Sequence, residues 1–335
     1  MFLTKNNTPL VHAVIPYTDQ NSANYVSVVV KGTFNIAAGG GLALADEPEP
    51  LLQADEYAGE PGSSSLLRES DLSPLKTATD VCVVGDIVTP NEKPCTQMDA
   101  IVQVNHEQRI IRALGDRVWQ SDGLSARFSN IQPFSRIPLS FENAYGGSEA
   151  QQDDQLPEYF AANPVGKGFI GKRGEIDGVA LPNLENPCHL IQNPKDKPQP
   201  CCPGFVSKTW QPRVQYAGTC DSHWQQHRMP LLPQDFDNRF YNAATADFIF
   251  PMLRGDEAIA LQGFNAEGPM SFQLPNWNIK IRYCLKNEIK TLYANLDTLT
   301  ILSNQKQVLV NWRACFPCGL DLLYVKWVEI KAVYQ

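Results

Sequence analysis

Apolar and polar residues alternate in short runs at both ends of the chain, and the period of the alternation is two. Residues 25–34 and 80–88 are rich in Val and Thr and close on Gly, Asn or Pro, the composition of strands ended by turns. Residues 99–104 and 109–114 flank 105–108 as the arms of a hairpin. Six further runs, at 257–264, 270–274, 279–285, 299–302, 308–313 and 322–331, repeat the pattern near the end. Helical periodicity is hard to find anywhere, and no internal repeat is visible. The pattern predicts a mainly β protein with an N-terminal β part (1–132) and a C-terminal β part (252–335). We expect these to contribute to one composite antiparallel β-sandwich, or to two abutting β modules, within a single domain spanning 1–335.

Between the two β parts, residues 133–251 show almost no period of 2 or 3.6 and hold 14 of the 25 prolines, so a different organisation is expected there. A structureless loop of that length is improbable inside a compact domain; the stretch is read as ordered loops and short elements packed on the β scaffold. In and around this loop-rich central part lie stiff blocks such as Gly115 to Trp119, Pro138 to Gly147, Asn163 to Phe169, Leu181 to Glu185, Trp210 to Arg213 and Leu232 to Phe236. Glycine permits positive φ and proline fixes φ near −65°, so these blocks pin the backbone and aim a few side chains in set directions. Loops held on a rigid scaffold are where binding and catalytic residues concentrate.

Composition narrows the function classes. With 335 residues and 43% hydrophobic content the chain can fill a sizeable core. A net charge of −8 argues against a general affinity for nucleic acid, which needs a basic surface. No run approaches the length of a membrane span, and residues 1–17 lack the unbroken apolar core of a signal peptide, so a cytoplasmic protein without membrane insertion is expected. Nine scattered cysteines, an odd number, do not form a secreted disulfide framework and are read as mostly reduced thiols, with Cys82 and Cys284 in the core.

Candidate chemistry is sparse. His223 and His227 stand at i and i+4, but Trp224 occupies the place where a zinc protease needs a glutamate. Cys315 and Cys318 form one isolated CxxC, with Cys201-Cys202 or Cys188-His189 as conceivable completions; no metal and no cofactor is assigned. Asp116, Glu142, Asp153, Asp154, Glu185, Asp235 and Asp237 offer carboxylate pairs for a hydrolase acting on a glycan or a peptide, against which stand salt bridges and turn caps that lock loops. Gly166-Lys167-Gly168 lacks the spacing of a phosphate-binding loop, which leaves Lys167 as a solvated loop lysine. No nucleophile elbow is present.

The ordered set of blocks resembles a bacterial family long labelled a domain of unknown function and found beside type VI secretion genes. The resemblance runs from about Asn7 to Arg313 and includes Val30 to Phe34, Ser64 to Asp71, Lys76, Thr79 to Val81, Gly115 to Trp119, Pro133-Phe134 and Pro138 to Gly147. It continues through Asn163 to Phe169, Leu181 to Glu185, Trp210 to Arg213, Gly218-Thr219, Leu232 to Phe236 and Asn242 to Ala244. The histidine and cysteine pairs are not part of that pattern. The resemblance implies a non-enzymatic adaptor or chaperone that binds a toxic effector of the PAAR or Rhs type and assists its loading onto the spike protein VgrG. A structural component of the secretion apparatus is a further alternative. On this reading Arg117, Trp119, Glu142, Tyr145, Lys167, Trp210, Arg213 and Asp235 shape the effector-binding surface, exposed members as anchors and buried ones as loop locks.

Overall fold

The computed structural model describes residues 3–123, 125–149, 158–172, 174–319 and 322–334. Sixteen strands build its three large sheets. In chain order they are β1 (Leu3–Asn6), β2 (Val11–Thr18), β3 (Asn24–Ile36), β4 (Leu42–Leu44), β5 (Thr79–Val84), β6 (Gln97–Val104), β7 (Glu107–Leu114) and β8 (Leu184–Glu185). They continue with β9 (Ile249–Phe250), β10 (Ala258–Gln262), β11 (Met270–Gln273), β12 (Trp277–Leu285), β13 (Glu288–Tyr293), β14 (Asn295–Leu302), β15 (Gln307–Gly319) and β16 (Val325–Tyr334).

A seven-stranded sheet has the order β9-β5-β14-β15-β3-β2, with β4 added against β3. A five-stranded sheet runs β8-β7-β6-β10-β11, and a four-stranded sheet β1-β16-β12-β13. The mainly β architecture expected from the period-two runs is therefore present, and among the described residues no sheet closes into a barrel. The pairing is not purely antiparallel: β5 runs parallel to β14, and β1 to β16. Both of these pairs join strands from opposite ends of the chain.

The residues explain the elements. In β3, Val26, Val28, Val30 and Phe34 face the main core, while Ser27, Lys31 and Thr33 on the other side are equally buried. The expected run 80–88 is two strands, because Gly85 breaks it: its φ is 143°, and a Cβ there would stand 2.1 Å from the Ser303 hydroxyl. The 99–114 hairpin forms with Asn105 at positive φ in its two-residue turn. Strand β2 was not anticipated, since it contains Pro16; it lies at a sheet edge, where a missing N–H is tolerated. The inner face of the four-stranded sheet meets the seven-stranded sheet through aromatic contacts. Trp277 stacks on Trp312 at 6.2 Å, and Tyr283 stacks on Phe316 at 3.7 Å.

Among the described residues of 133–251 the longest regular element is the six-residue helix Ser222–His227. The rest is 3-10 turns, two- or three-residue strands and loops laid against the sheets. No helix among the described residues is long and apolar enough to cross a membrane.

Candidate functional site

The second face of the seven-stranded sheet is polar, although it is buried. Register aligns Asp80, Thr298, Asn311 and Lys31 as direct neighbours across β5, β14, β15 and β3, so one polar row crosses four adjacent strands. Lys31 and Asn311 interrupt apolar runs, and none of the four is more than 5% exposed. Burying such groups is tolerable only when every charge is paired.

The partners come from loops that cross this face. The Lys31 ammonium donates to the Asp71 carboxylate at 2.9 Å and to the Pro50 carbonyl at 3.0 Å. Asn311 donates to the other Asp71 oxygen at 2.7 Å, and the Leu52 amide donates to Asp71 at 2.7 Å. Arg313 donates to Asp297 at 2.5 Å and to the carbonyls of Asp71 and Ser73. The Lys76 ammonium lies 2.6 Å from Asp80 and 3.7 Å from Glu69. Burial pushes the Lys76 ammonium down, but Asp80 and Glu69 outweigh this and hold it above its ordinary range. Asp80 also accepts from the Asn242 side chain at 3.0 Å and the Ala243 amide at 2.8 Å.

Arg213 completes the cluster from the central region. It donates to Glu69 at 2.5 Å, to the Val206 carbonyl at 2.6 Å and to the Phe240 carbonyl at 2.9 Å. Four cations thus meet four carboxylates, with every side chain at most 10% exposed. The space left among the lining residues is about 20 Å³, room for a single water-sized molecule. Chemically the cluster is a clamp: it ties residues 50–76, the central loops and the sheet to one another.

A second cluster fixes other loops of the central layer. Trp119, Tyr145, Leu181 and Ile191 form a small core of their own, with Trp119 stacked on Phe128 at 4.6 Å. Burial pushes the Tyr145 phenol up to about 12. Arg117 pairs with Glu185 and donates to the Pro182 carbonyl at 2.8 Å. Burial drives both members of that pair toward neutrality, Arg117 downward and Glu185 upward. Gly146, at φ 154°, lets the chain pass Asn163 so closely that a Cβ would stand 2.1 Å from its carbonyl oxygen.

The eight candidate residues do not converge on one surface. Arg117, Trp119, Tyr145, Trp210 and Arg213 are buried and act as loop locks; Trp210 packs edge-on against Phe141 at 5.4 Å. Glu142 is half-buried and accepts from the Ser65 amide at 2.7 Å and from its hydroxyl. Burial raises its pKa, but the Ser65 hydrogen bonds prevail and leave it below the ordinary value. Lys167 is not a solvated lysine: it is half-buried and donates to Asn183 at 2.7 Å. Asp235 alone is exposed, and it accepts from the Thr219 amide at 2.9 Å and hydroxyl at 2.7 Å.

The remaining candidates find local partners. Asp116 accepts from Asn183 at 2.9 Å, and Asp237 pairs with Arg239 at 2.6 Å; Asp153 and Asp154 lie outside the described residues. The His223 and His227 rings stack on each other at 4.6 Å, and among the described residues no three His, Cys, Asp or Glu side chains are grouped to hold a metal. Cys315 and Cys318 lie in β15, and no disulfide joins the nine cysteines.

The polar row escaped the choice of candidate residues, although part of its signal was present in the chain as Lys31 and Asn311 inside Val- and Leu-rich runs. The clamp draws Lys31, Glu69, Asp71, Lys76, Asp80, Arg213 and Asn242 from six separate sequence blocks. A protein-family model, described as an uncharacterized protein conserved in bacteria (DUF2169), matches residues 21–313. The chain belongs to this family. No curated protein and no solved structure matches it. The DUF2169 span opens just before β3 and closes on Arg313, so it contains every charged member of the clamp. Strands β1 and β16 lie outside that span.

Proposed function

We propose that this chain is an adaptor or chaperone of type VI secretion: it binds one toxic effector, of the PAAR or Rhs type, in the cytoplasm and assists its loading onto the spike protein VgrG. The observation that carries the reading is the clamp itself. Blocks that give the chain its resemblance to secretion-associated proteins converge there to hold a broad loop layer rigid, and a preorganised surface loses little conformational entropy when it binds a large partner. The complex must hold the unloaded effector yet yield when the spike assembles, which requires differential affinity for the two states. No cofactor enters this scheme.

Deleting the gene tests the reading. Secretion of a single effector should be lost while the apparatus continues to fire and to export its other cargo. Loss of all export would mark a structural component of the apparatus. Unchanged export of every effector, together with a new hydrolytic activity assignable to Glu142 or Asp235, would replace the adaptor by a hydrolase.

A further inference from the structure

The outward face of the four-stranded sheet departs from the charge of the rest of the chain. Ile279 and Ile281 in β12 and Val328 and Ile330 in β16 point into the core, so alternation sends Lys280, Arg282, Glu329 and Lys331 outward, joined by Lys5 of β1. Glu329, the one carboxylate of this face among the described residues, is already shared, 2.9 Å from Arg282 and 3.2 Å from Lys331. Lys5 and Lys280 have no ion pair among the described residues. The face therefore carries a surplus of three positive charges on a chain of net charge −8. Apolar side chains stand among them: Leu3, Ile289 and Tyr293 are 77%, 60% and 57% exposed.

The sheet is also open at one side. β13 is its last strand, and among the described residues no strand pairs with its outer edge. The Ala294 amide donates to the Ile279 carbonyl at 2.8 Å, which sets the phase of the ladder. Lys290 and Leu292 turn their backbone groups to β12, and Ile289, Thr291 and Tyr293 turn theirs to the open edge. Such an edge is a template for another strand unless it is shielded.

We propose that β13 and the basic face beside it are the docking site for an extended, acidic segment of a partner protein, added to the sheet as a fifth strand. Main-chain hydrogen bonds to β13 supply the pairing, the carboxylates of the segment lie at alternate positions on the face shared by Tyr293 and Lys280 and meet the positive field of the lysines, and its apolar residues lie on the opposite face beside Leu292. The proposal deepens the adaptor reading and rests on it for the kind of partner. Two of the four strands, β1 and β16, lie outside the span shared with the family, which suits a surface that selects this chain's own partner.

The test uses the whole chain and a defined probe, an octapeptide alternating valine and glutamate, with a valine–lysine octapeptide as its counterpart. Hydrogen exchange read by NMR should slow at the Ile289, Thr291 and Tyr293 amides with the acidic peptide only. Thr291→Pro removes an outward N–H and leaves the β12 ladder intact, so it should abolish binding. The pair Lys280→Glu and Lys331→Glu should weaken binding about tenfold at low salt with an unchanged melting temperature. The proposal is overturned if the β13 amides exchange at the same rate with and without the acidic peptide, if both peptides bind alike, or if the lysine pair has no effect. Protection of the edge in the chain alone with a doubled molecular mass would assign it to a second copy, and preference for phosphatidylserine vesicles would assign it to a membrane surface. Either result also overturns the proposal. Because the peptide is synthetic, failure here leaves the adaptor reading standing, and an unchanged secretion profile in the deletion strain would remove that reading without deciding this test.

Discussion

Arg213→Ala should destabilise the chain by about 3–5 kcal/mol, the range for breaking a buried ion pair by removing one partner. Arg213 is 2% exposed and its partner Glu69 6%, so the substitution leaves a buried carboxylate with two lysines, Lys76 and Lys208, each at 3.7 Å as its nearest cations. It also frees the Val206 and Phe240 carbonyls that the guanidinium bridges. Urea unfolding measures the loss. Arg213→Lys should recover part of it, since one ammonium can meet Glu69 but cannot span both carbonyls. Trp210→Ala should cost a comparable ~3–5 kcal/mol through the cavity left against Phe141. If either alanine variant lost partner binding with its melting temperature unchanged, the residue would be a surface anchor and the lock would be wrongly placed.

A fragment ending at residue 250 should not fold. Its loss removes β14 and β15, the two strands between β5 and β3 in the seven-stranded sheet. With them go nine large buried side chains, from Leu296 to Phe316. At roughly 1.5–3 kcal/mol each these match or exceed the ~5–15 kcal/mol by which a typical domain is stable. Asp71 and Lys31 would also lose Asn311 and Arg313 from their surroundings. Circular dichroism and heat denaturation of the fragment should show no cooperative transition. A fragment 1–250 with a sharp transition would mean that the N-terminal strands hold a core without the returning ones.

Much of the scaffold was legible in the chain because strand signals are local. The run 25–34 became β3, and the run 308–313 became the centre of β15, since alternation of Val and polar residues dictates which face is buried. Edge strands were harder. β2 hides behind Pro16, and β13 is exposed along most of its length, so it lacks the apolar alternation that marks a buried strand. Pairing between distant strands has no local signature at all: nothing near Asp80 announces Thr298 as its neighbour.

The candidate residues show the same limit. Stiff Gly/Pro blocks pointed to a fixed loop layer, and what fixes such loops is by necessity inside, which is why Arg117, Trp119, Tyr145, Trp210 and Arg213 turn inward. Lysine 31 and Arg313 were readable only as charges misplaced in apolar strands, a pattern whose meaning depends on loops that cover them from elsewhere in the sequence.

The most direct test of the central claim is co-purification of the tagged chain from its native cells at moderate salt, with mass spectrometry of the partners. The account predicts a large secreted toxin, with or without the spike protein, at near-stoichiometric amounts. Recovery of the chain alone, under conditions in which the apparatus is expressed, would contradict it.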